Sequence, residues 1–375
     1  MLSTQRIVNL LICLLVFSSG RLPEGGRSYF NEPFRLSSVD SVAKFFVSFN
    51  DTIPNDTLYF CFSNGNPAAI FRDIISGVCL DGECRPLRIK VYWTISGRYL
   101  GYQLNPTQEL TKKEHTPFNE VEYRLLHNLL SDSLSLLVNY TLEEITPKKQ
   151  TNIKTDGISG ATPPNISSYI VPEAAYTTHT LWHLVYSETR DSINLKIKSF
   201  LTFSVLDSLL ASSNDYDRLW ALNHLPSDAN HYLPRLMNVL EGDNIKVIEK
   251  ALSYLAVYSD SIYQQSLFGL SQKHDYFIRQ YAMELIRDLD NLQPGIARKI
   301  IDCMINADPA SAGAYLSAIE KFNSAEDDLR KISILLDNSN DQVALNAYLY
   351  LMRVTVKGKW LAQKLKKFEK QKLKI

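Results

Sequence analysis

Two different hydrophobic patterns divide the chain near its middle. In the first half, short apolar runs alternate with turn residues. Leu58–Phe62 is apolar throughout. Leu87–Trp93, which alternates apolar and polar residues at first, and Tyr99–Leu104 flank a turn at Ser96 and Gly97. Apolar runs of this length are typical of buried strands, and two of them around a glycine turn predict a β-hairpin.

Helical spacing accompanies these strands. Asn66–Ile75 begins with Asn-Pro, which is typical of a capped helix with proline in its first turn. Helices are also predicted over Glu120–Leu137 and at about 172–187, whereas Lys148–Pro164 is polar and predicts a surface loop. The mixture predicts an α+β domain over residues 26–190.

From about residue 200 the strand signals disappear and amphipathic helices follow one another. A small residue recurs at intervals of 30 to 33 residues in every second helix, at Ala221, Ala251, Ala282, Ala314 and Ala347. Two helices repeated at this length are typical of an α-solenoid, and the pattern resembles degenerate HEAT-like repeats over residues 200–355. An irregular helical bundle is the alternative. The predicted fold class is thus an α+β N-terminal domain followed by an all-α HEAT-like solenoid.

The first twenty residues differ from the rest. One positive charge precedes the apolar run Ile7–Phe17, and small residues follow at Ser18–Gly20. This order is that of a secretory signal peptide, so we expect residues 1–20 to direct export to a periplasmic or other extracytosolic location. A retained N-terminal anchor is the alternative. No second long apolar run follows, and no membrane span is expected in the mature chain.

The last nineteen residues, Lys357–Ile375, contain eight lysines and one glutamate together with spaced apolar side chains. The whole chain has 40 basic and 40 acidic residues, so this basic tail (residues 356–375) is a local feature. It is typical either of a basic amphipathic helix on an anionic surface or of a terminal helix that caps the solenoid. We favour the cap. The zero net charge gives no reason to expect a nucleic-acid partner.

Export changes the interpretation of the cysteines. Cys79 and Cys84 flank an Asp-Gly turn, and we predict a disulfide between them in an oxidising compartment. Cys303 lies in an apolar run and is predicted to be a core residue. No second cysteine pair or histidine pair lies near Cys79 and Cys84 at the spacing of a zinc site, and no metal is predicted.

One short motif carries chemistry. The segment Asp156-Gly157-Ile158-Ser159-Gly160-Ala161-Thr162 resembles the flavinylation motif of FMN-binding domains, such as those in the flavin-carrying subunits of Rnf and sodium-pumping NADH–quinone reductase complexes. The resemblance covers roughly residues 84–190. In that family a separate flavin transferase joins FMN to the final threonine through a phosphoester.

The resemblance implies a role for each residue of the motif. Thr162 is the acceptor hydroxyl for covalent FMN, and Asp156, Ser159, Gly160 and Ala161 form the sequence that the transferase recognises. Glycine and alanine remove bulk, so the backbone can enter another enzyme's active site. Pro163 and Pro164 follow where the family has another hydroxyl residue and then a helix; prolines have no N–H to offer a phosphate.

Histidines are the remaining candidates. His179 and His183 are four residues apart on a predicted helix and share a face. The metalloprotease pattern needs a glutamate directly after the first histidine, where Thr180 stands, so we interpret the pair as core or partner-facing residues. Glu114, His115 and His127 receive the same interpretation.

Three functions remain open at this stage. The first is an exported flavin carrier that passes electrons through FMN on Thr162, with the solenoid docking a partner protein. The second is a non-catalytic extracytosolic scaffold that keeps the fold without flavin, which Pro163 and Pro164 favour. The third is an enzyme with its own substrate pocket, for which no catalytic residues are predicted.

Overall fold

The computed structural model describes residues 26–31, 34–47, 49, 56–76, 86–112, 115–145, 166–320, 322, 324–354 and 358–373. Contacts divide the chain into two compact units, one up to Leu206 and one from Asp207 onward. The first unit combines a sheet with helices, and the described residues of the second are helical, which confirms the predicted α+β and all-α fold classes. None of the helices described is both long and apolar enough to cross a bilayer.

A six-stranded antiparallel sheet organises the first unit. Its strands are β1 (Ser28–Phe30), β2 (Ser41–Phe46), β3 (Thr57–Ser63), β4 (Asn66–Ser76), β5 (Leu87–Trp93) and β6 (Tyr99–Leu104). The order across the sheet is β1-β6-β5-β4-β3-β2, so β2 to β6 form a meander and β1 pairs with the outer side of β6. The strand at Leu58–Phe62 and the hairpin around Gly97 are therefore confirmed.

The helix predicted over Asn66–Ile75 is wrong, because this segment is strand β4. Asn64 and Gly65 both have positive φ angles, 49° and 76°, and form a two-residue turn between β3 and β4. Asn-Gly is the preferred residue pair for such a hairpin turn, because the backbone twist of the turn matches the right-handed twist of the flanking strands. The Asn-Pro that follows therefore opens a strand beside a bulge at Cys61, a position where proline is tolerated.

Helices cover one face of the sheet. They are α1 (Glu120–Ser131), α2 (Leu142–Ile145), α3 (Ala175–Val185) and α4 (Glu188–Ile197), and α5 (Phe203–Leu210) follows. The helix predicted at 172–187 is confirmed as α3, whereas the one predicted over 120–137 ends at Ser131. Asn119 caps α1 through a capping box with Glu122, which fixes where the helix begins.

Each face of the sheet has its own core. Towards the helices, Phe60, Ile70 and Trp93 are fully buried. On the opposite face, a cluster around Cys61 and Tyr92 is covered by residues that precede β2 in the chain; its buried members are Val39, Val42, Cys61, Ala69, Phe71, Tyr92 and Leu100. Because both faces are covered, β3 reads as a nearly continuous apolar run, whereas β5 begins with alternating apolar and basic residues at Arg88 and Lys90.

The second unit contains α6 (Asp215–His224), α7 (Leu233–Val239), α8 (Ile245–Tyr258), α9 (Asp260–Leu270), α10 (Tyr276–Asp288), α11 (Pro294–Met304), α12 (Pro309–Ala318), α13 (Glu326–Ile332), α14 (Asp341–Arg353) and α15 (Lys359–Phe368). The even-numbered helices share one start signal, a side-chain N-cap that accepts backbone N–H groups, at Asn214, Asn244, Asp275, Asp308 and Asn340. These caps recur with the same 30- to 33-residue period as the alanines.

Four of the five alanines occupy one position. Ala221, Ala251, Ala282 and Ala347 lie seven residues after their N-caps and are fully buried. Ala314 does not, because it lies six residues after Asp308 and is half-buried. Tyr315 occupies the equivalent position in α12. The predicted repeat position is therefore wrong by one residue in this helix.

Neighbouring repeats pack in sequence order. Among the described residues, α6 contacts α8, α10 contacts α12, and α12 contacts α14, while α9, α11 and α13 form a second row. The Tyr254 hydroxyl of α8 donates to the carbonyl of Leu222 in α6 at 2.8 Å. The packing of these helices is compatible with a helical solenoid.

The terminal helix α15 closes this stack. Leu361, Leu365 and Phe368 are buried, and α15 contacts α14. Lys364 and Lys372 form ion pairs with Asp337 and Asp341, which precede and begin α14. The basic tail is therefore a capping helix, as the sequence analysis favoured.

Candidate functional site

The residues predicted to carry flavin lie outside the described part of the chain. This applies to Asp156, Ser159, Gly160, Ala161 and Thr162, to the prolines that follow, to Cys79 and Cys84, and to the signal segment 1–20. The described residues on either side of the motif are those that end at Ile145 and resume at Ile166. They show how the two ends of the motif segment are held.

The end before the motif is bound to α3 by two histidines. The ring Nε2 of His179 lies 2.8 Å from the carbonyl oxygen of Tyr140, and that of His183 lies 3.2 Å from the carbonyl of Leu137. Each Nε2 carries the proton for this bond, because a carbonyl only accepts. The pair therefore fastens the residues that lead into α2, and Ile145 at the end of α2 is buried.

The end after the motif is bound to the same helix. Ile166 is fully buried, and a short 3-10 turn, Ser167–Tyr169, follows it. The backbone N–H of Val171 donates to the hydroxyl of Thr178 at 3.1 Å, and that hydroxyl donates to the carbonyl of Ala174 at 2.9 Å. Both ends of the motif segment are therefore attached to α3.

Helix α3 is itself fixed to the rest of the first unit. The indole N–H of Trp93 in β5 donates to the carbonyl of Val185 at 3.0 Å, at the last turn of α3. Trp182 and Tyr186 donate to the carbonyls of Asp132 and Leu130 at 2.9 Å each, at the end of α1. Three aromatic side chains thus hold α3 against β5 and α1.

The histidine pair has no free Nε2 for a metal ion. The rings of His179 and His183 lie 4.1 Å apart, and both Nε2 atoms face backbone carbonyls. Burial lowers the pKa of His183, and the neighbouring His179 lowers it further. In the described part of the chain, no group of three or more histidine, cysteine or carboxylate side chains is placed to bind a metal. The pair therefore links α3 to the residues from Leu137 to Tyr140.

A third histidine lies in a hydrogen-bond network that joins residues distant in the sequence. His127 of α1 places Nδ1 at 3.1 Å from the hydroxyl of Tyr99, and Nε2 at 3.1 Å from the side-chain oxygen of Asn31. Nε2 therefore donates to Asn31 and Nδ1 accepts from Tyr99, which suits a neutral ring. Burial lowers the pKa of His127 and raises the pKa of Tyr99 well above its usual value.

The remaining histidine and cysteine candidates differ in their exposure. His115 is exposed with a φ of 60°, and Glu114 lies outside the described residues. Cys61 is a buried free thiol, and burial raises its pKa to about 12. Cys303 is half-buried rather than a core residue, because it lies on a flank of α11.

The start of α3 offers donor groups that suit a phosphate. Ala174 precedes the helix and has no side chain that can accept a hydrogen bond, so the first N–H groups of α3 have no side-chain cap. Such N–H groups and the positive end of the helix dipole favour anions. The described helix after the motif begins at Ala175, beyond Pro163 and Pro164, so the prolines are not part of this helix start.

Comparison with known proteins yields no assignment. No protein-family model matches the chain, and no curated protein is similar to it.

Proposed function

We propose that this chain is an exported, periplasmic or extracytosolic flavin carrier, with FMN joined to Thr162 by a flavin transferase. The observation that carries the proposal is the sequence Asp156–Thr162, which resembles the flavinylation motif of FMN-binding domains. The transferase of that family uses FAD. In the transfer, the Thr162 hydroxyl would lose its proton and bond to the phosphorus of the FMN half of FAD, while the bond between the two phosphates would break and AMP would leave with that proton.

The hydrogen bonds that attach the residues on either side of the motif to α3 support this proposal. A carrier segment must be displayed to a second enzyme while its ends stay attached to the fold. The end before the motif is bound by His179 and His183, and the end after it by Thr178. All three residues belong to α3, which is attached to β5 through Trp93.

The chain's own residues would bind and orient the group. Thr162 supplies the hydroxyl, and Gly160 and Ala161 keep the backbone accessible to the transferase. The uncapped N–H groups at the start of α3 are donors suited to a phosphate. When bound, FMN supplies one- and two-electron transfer.

The second unit supports a docking role. Its stacked helix pairs, with an aspartate or asparagine N-cap every 30 to 33 residues, are consistent with HEAT-like repeats. Stacked repeats present extended surfaces that proteins use to bind other proteins. We propose that an electron donor or acceptor protein docks on this unit.

A second candidate function is a scaffold that keeps this fold without flavin. The observation that favours it is the Pro163-Pro164 pair, which replaces a hydroxyl residue of the family pattern and removes two N–H donors. The two candidates differ in one measurable property, the covalent addition of FMN.

The deciding experiment is the intact mass of the full chain after co-expression with a flavin transferase. The carrier predicts a mass increase of one FMN residue and fluorescence in a denaturing gel. Thr162→Ala should abolish both, and Asp156→Ala should reduce them. Ser159→Ala is the matched control, because it removes the other hydroxyl of the motif and should keep the flavin.

A wild-type chain that gains no flavin, beside an acceptor that the same transferase labels, would contradict the carrier and leave the scaffold. Flavin retained in Thr162→Ala but lost in Ser159→Ala would move the bond to Ser159.

A further inference from the structure

The capping helix α15 has a second face that the cap does not use. Leu361, Leu365 and Phe368 turn into the second unit, whereas four lysines are exposed on the remaining surface. We call these the lysine stripe: Lys359, Lys366, Lys367 and Lys370. At 100° per residue, Lys359 and Lys366 lie on the side of α15 opposite the apolar residues, with Lys367 beside them. These three span roughly 12 Å along the helix, and Lys370 lies in the π-helical turn Glu369–Leu373 that continues α15.

Acidic residues of the described chain do not neutralise the lysine stripe. The ion pairs at this end of the chain use Lys364 of α15 and Lys372, which follows α15, instead. Glu369 is the single acid of the tail, and its carboxylate accepts a hydrogen bond from the Tyr348 hydroxyl at 2.8 Å. Trp360 is also engaged, since its indole N–H donates to Glu326 and Arg330 lies over its ring. The charged residues of the stripe are therefore all positive.

Basic residues outnumber acidic residues only at this end of the second unit. Residues 207–356 contain 13 basic and 20 acidic residues, whereas residues 357–375 contain eight basic residues and one acidic residue. An anionic surface would attract the tail and repel the rest of the unit. The charge distribution thus orients the unit with the stripe towards the negative surface.

The composition of the stripe indicates what it binds. Protein interfaces are enriched in aromatic residues and arginine and depleted in lysine, and specific recognition of phosphate uses the planar arginine fork. The lysine stripe contains neither aromatic residues nor arginine. Lysines on flexible stems contribute additively to binding at a fluid anionic bilayer, without a defined partner geometry. Insertion is excluded for the apolar residues of α15, because they are already buried in the cap.

We propose that the lysine stripe binds the second unit peripherally to an anionic phospholipid surface, by electrostatic attraction alone. The two sequence-based interpretations of the tail then apply to opposite sides of one helix. The inference does not depend on flavin, since it concerns α15 and not Thr162.

The test is co-sedimentation of the full chain with vesicles of phosphatidylcholine, with and without phosphatidylserine. We expect binding to the phosphatidylserine vesicles alone, and its loss at high salt. Each lysine near such a surface contributes about fivefold, so Lys366→Gln/Lys370→Gln should lower the apparent partition constant roughly 25-fold. The matched control is Lys246→Gln/Lys250→Gln on α8, which removes the same charge and should leave binding nearly unchanged.

Several results would overturn the proposal. Equal binding to vesicles without phosphatidylserine would assign the vesicle binding to apolar contact, for example by the run Ile7–Phe17. Equal losses in the two double variants would assign it to overall charge. Retention on immobilised heparin without binding to phosphatidylserine vesicles would assign the stripe to a soluble polyanion. Circular dichroism of both variants checks that the helical content is retained.

Discussion

The hydroxyl of Tyr315 in α12 lies 3.2 Å from the carbonyl oxygen of Ser271 at the end of α9, and donates to it. The same hydroxyl accepts from the side-chain amide of Gln272 at 2.6 Å. Tyr315 occupies the position where the equivalent helices have alanine, and its larger side chain is buried there. One side chain thus ties α12 to the turn before α10.

Removal of this hydroxyl is the first prediction. Tyr315→Phe keeps the buried ring and leaves the Ser271 carbonyl without its donor, which should lower the free energy of unfolding by about 1 kcal/mol. Urea titration monitored by circular dichroism measures this change in the free energy of unfolding. Tyr258→Phe is the control, because that ring is exposed, and should change stability by less than about 0.5 kcal/mol. Equal effects of the two variants would contradict the bonding role.

A buried glutamine supports the second prediction. Gln264 of α9 donates to the carbonyl of Asn291 at 2.8 Å and accepts from the backbone N–H of Gln293 at 2.9 Å, just before α11. Gln264→Leu would leave both backbone groups unpaired, so we expect a loss of about 2 kcal/mol in unfolding free energy. Gln265→Leu, an exposed neighbour on the same helix, should be close to neutral in the same denaturation experiment.

The third prediction concerns the attachment of the motif segment. Thr178→Val retains shape but removes the acceptor of the Val171 N–H, which should cost about 1–3 kcal/mol of unfolding free energy. Thr180→Val, two residues along α3 and half-exposed, is the matched control. Thermal denaturation of both variants gives the comparison. A Thr178→Val protein as stable as the control would show that this bond does not hold the segment.

Acid sensitivity is the fourth prediction. Burial lowers the pKa of both His127 and His183 in the folded chain, so the unfolded chain binds protons first. Stability is then complete above the unfolded histidine value of about 6.5 and falls as the pH drops from there towards the folded values. The melting temperature of the first unit should therefore decrease between about pH 7 and pH 5.

The variant His127→Gln/His183→Gln should flatten this pH dependence, since neither position can then take up a proton. Its control is His231→Gln/His274→Gln, which replaces two exposed histidines. Differential scanning fluorimetry across the pH range tests both. If the two double variants follow the same pH profile, the buried histidines are not the source of the acid sensitivity.

Local sequence signals predicted much of the fold and none of the geometry around the motif. The hairpin Leu87–Leu104 and the helix at about 172–187 follow from short-range patterns. Asn64-Gly65 is an equally local signal and is typical of a hairpin turn. The Asn-Pro that follows it is typical of a helix start, which is why the helix prediction for β4 is wrong. The attachment of both motif ends to α3 joins residues up to 46 positions apart, which no local pattern encodes.

The sequence by itself determined the two classes of structure, the repeat period, the amphipathic tail and the resemblance of Asp156–Thr162 to a flavinylation motif. These features depend on residue type and spacing along the chain. The tertiary structure alone decided that His179 and His183 bind carbonyls instead of a metal, and that Tyr315 stands in the alanine position. It also decided which side of α15 is buried and which lysines are left unpaired. Hydrogen bonds and burial between distant segments depend on packing, which the order of residues specifies only through the whole fold.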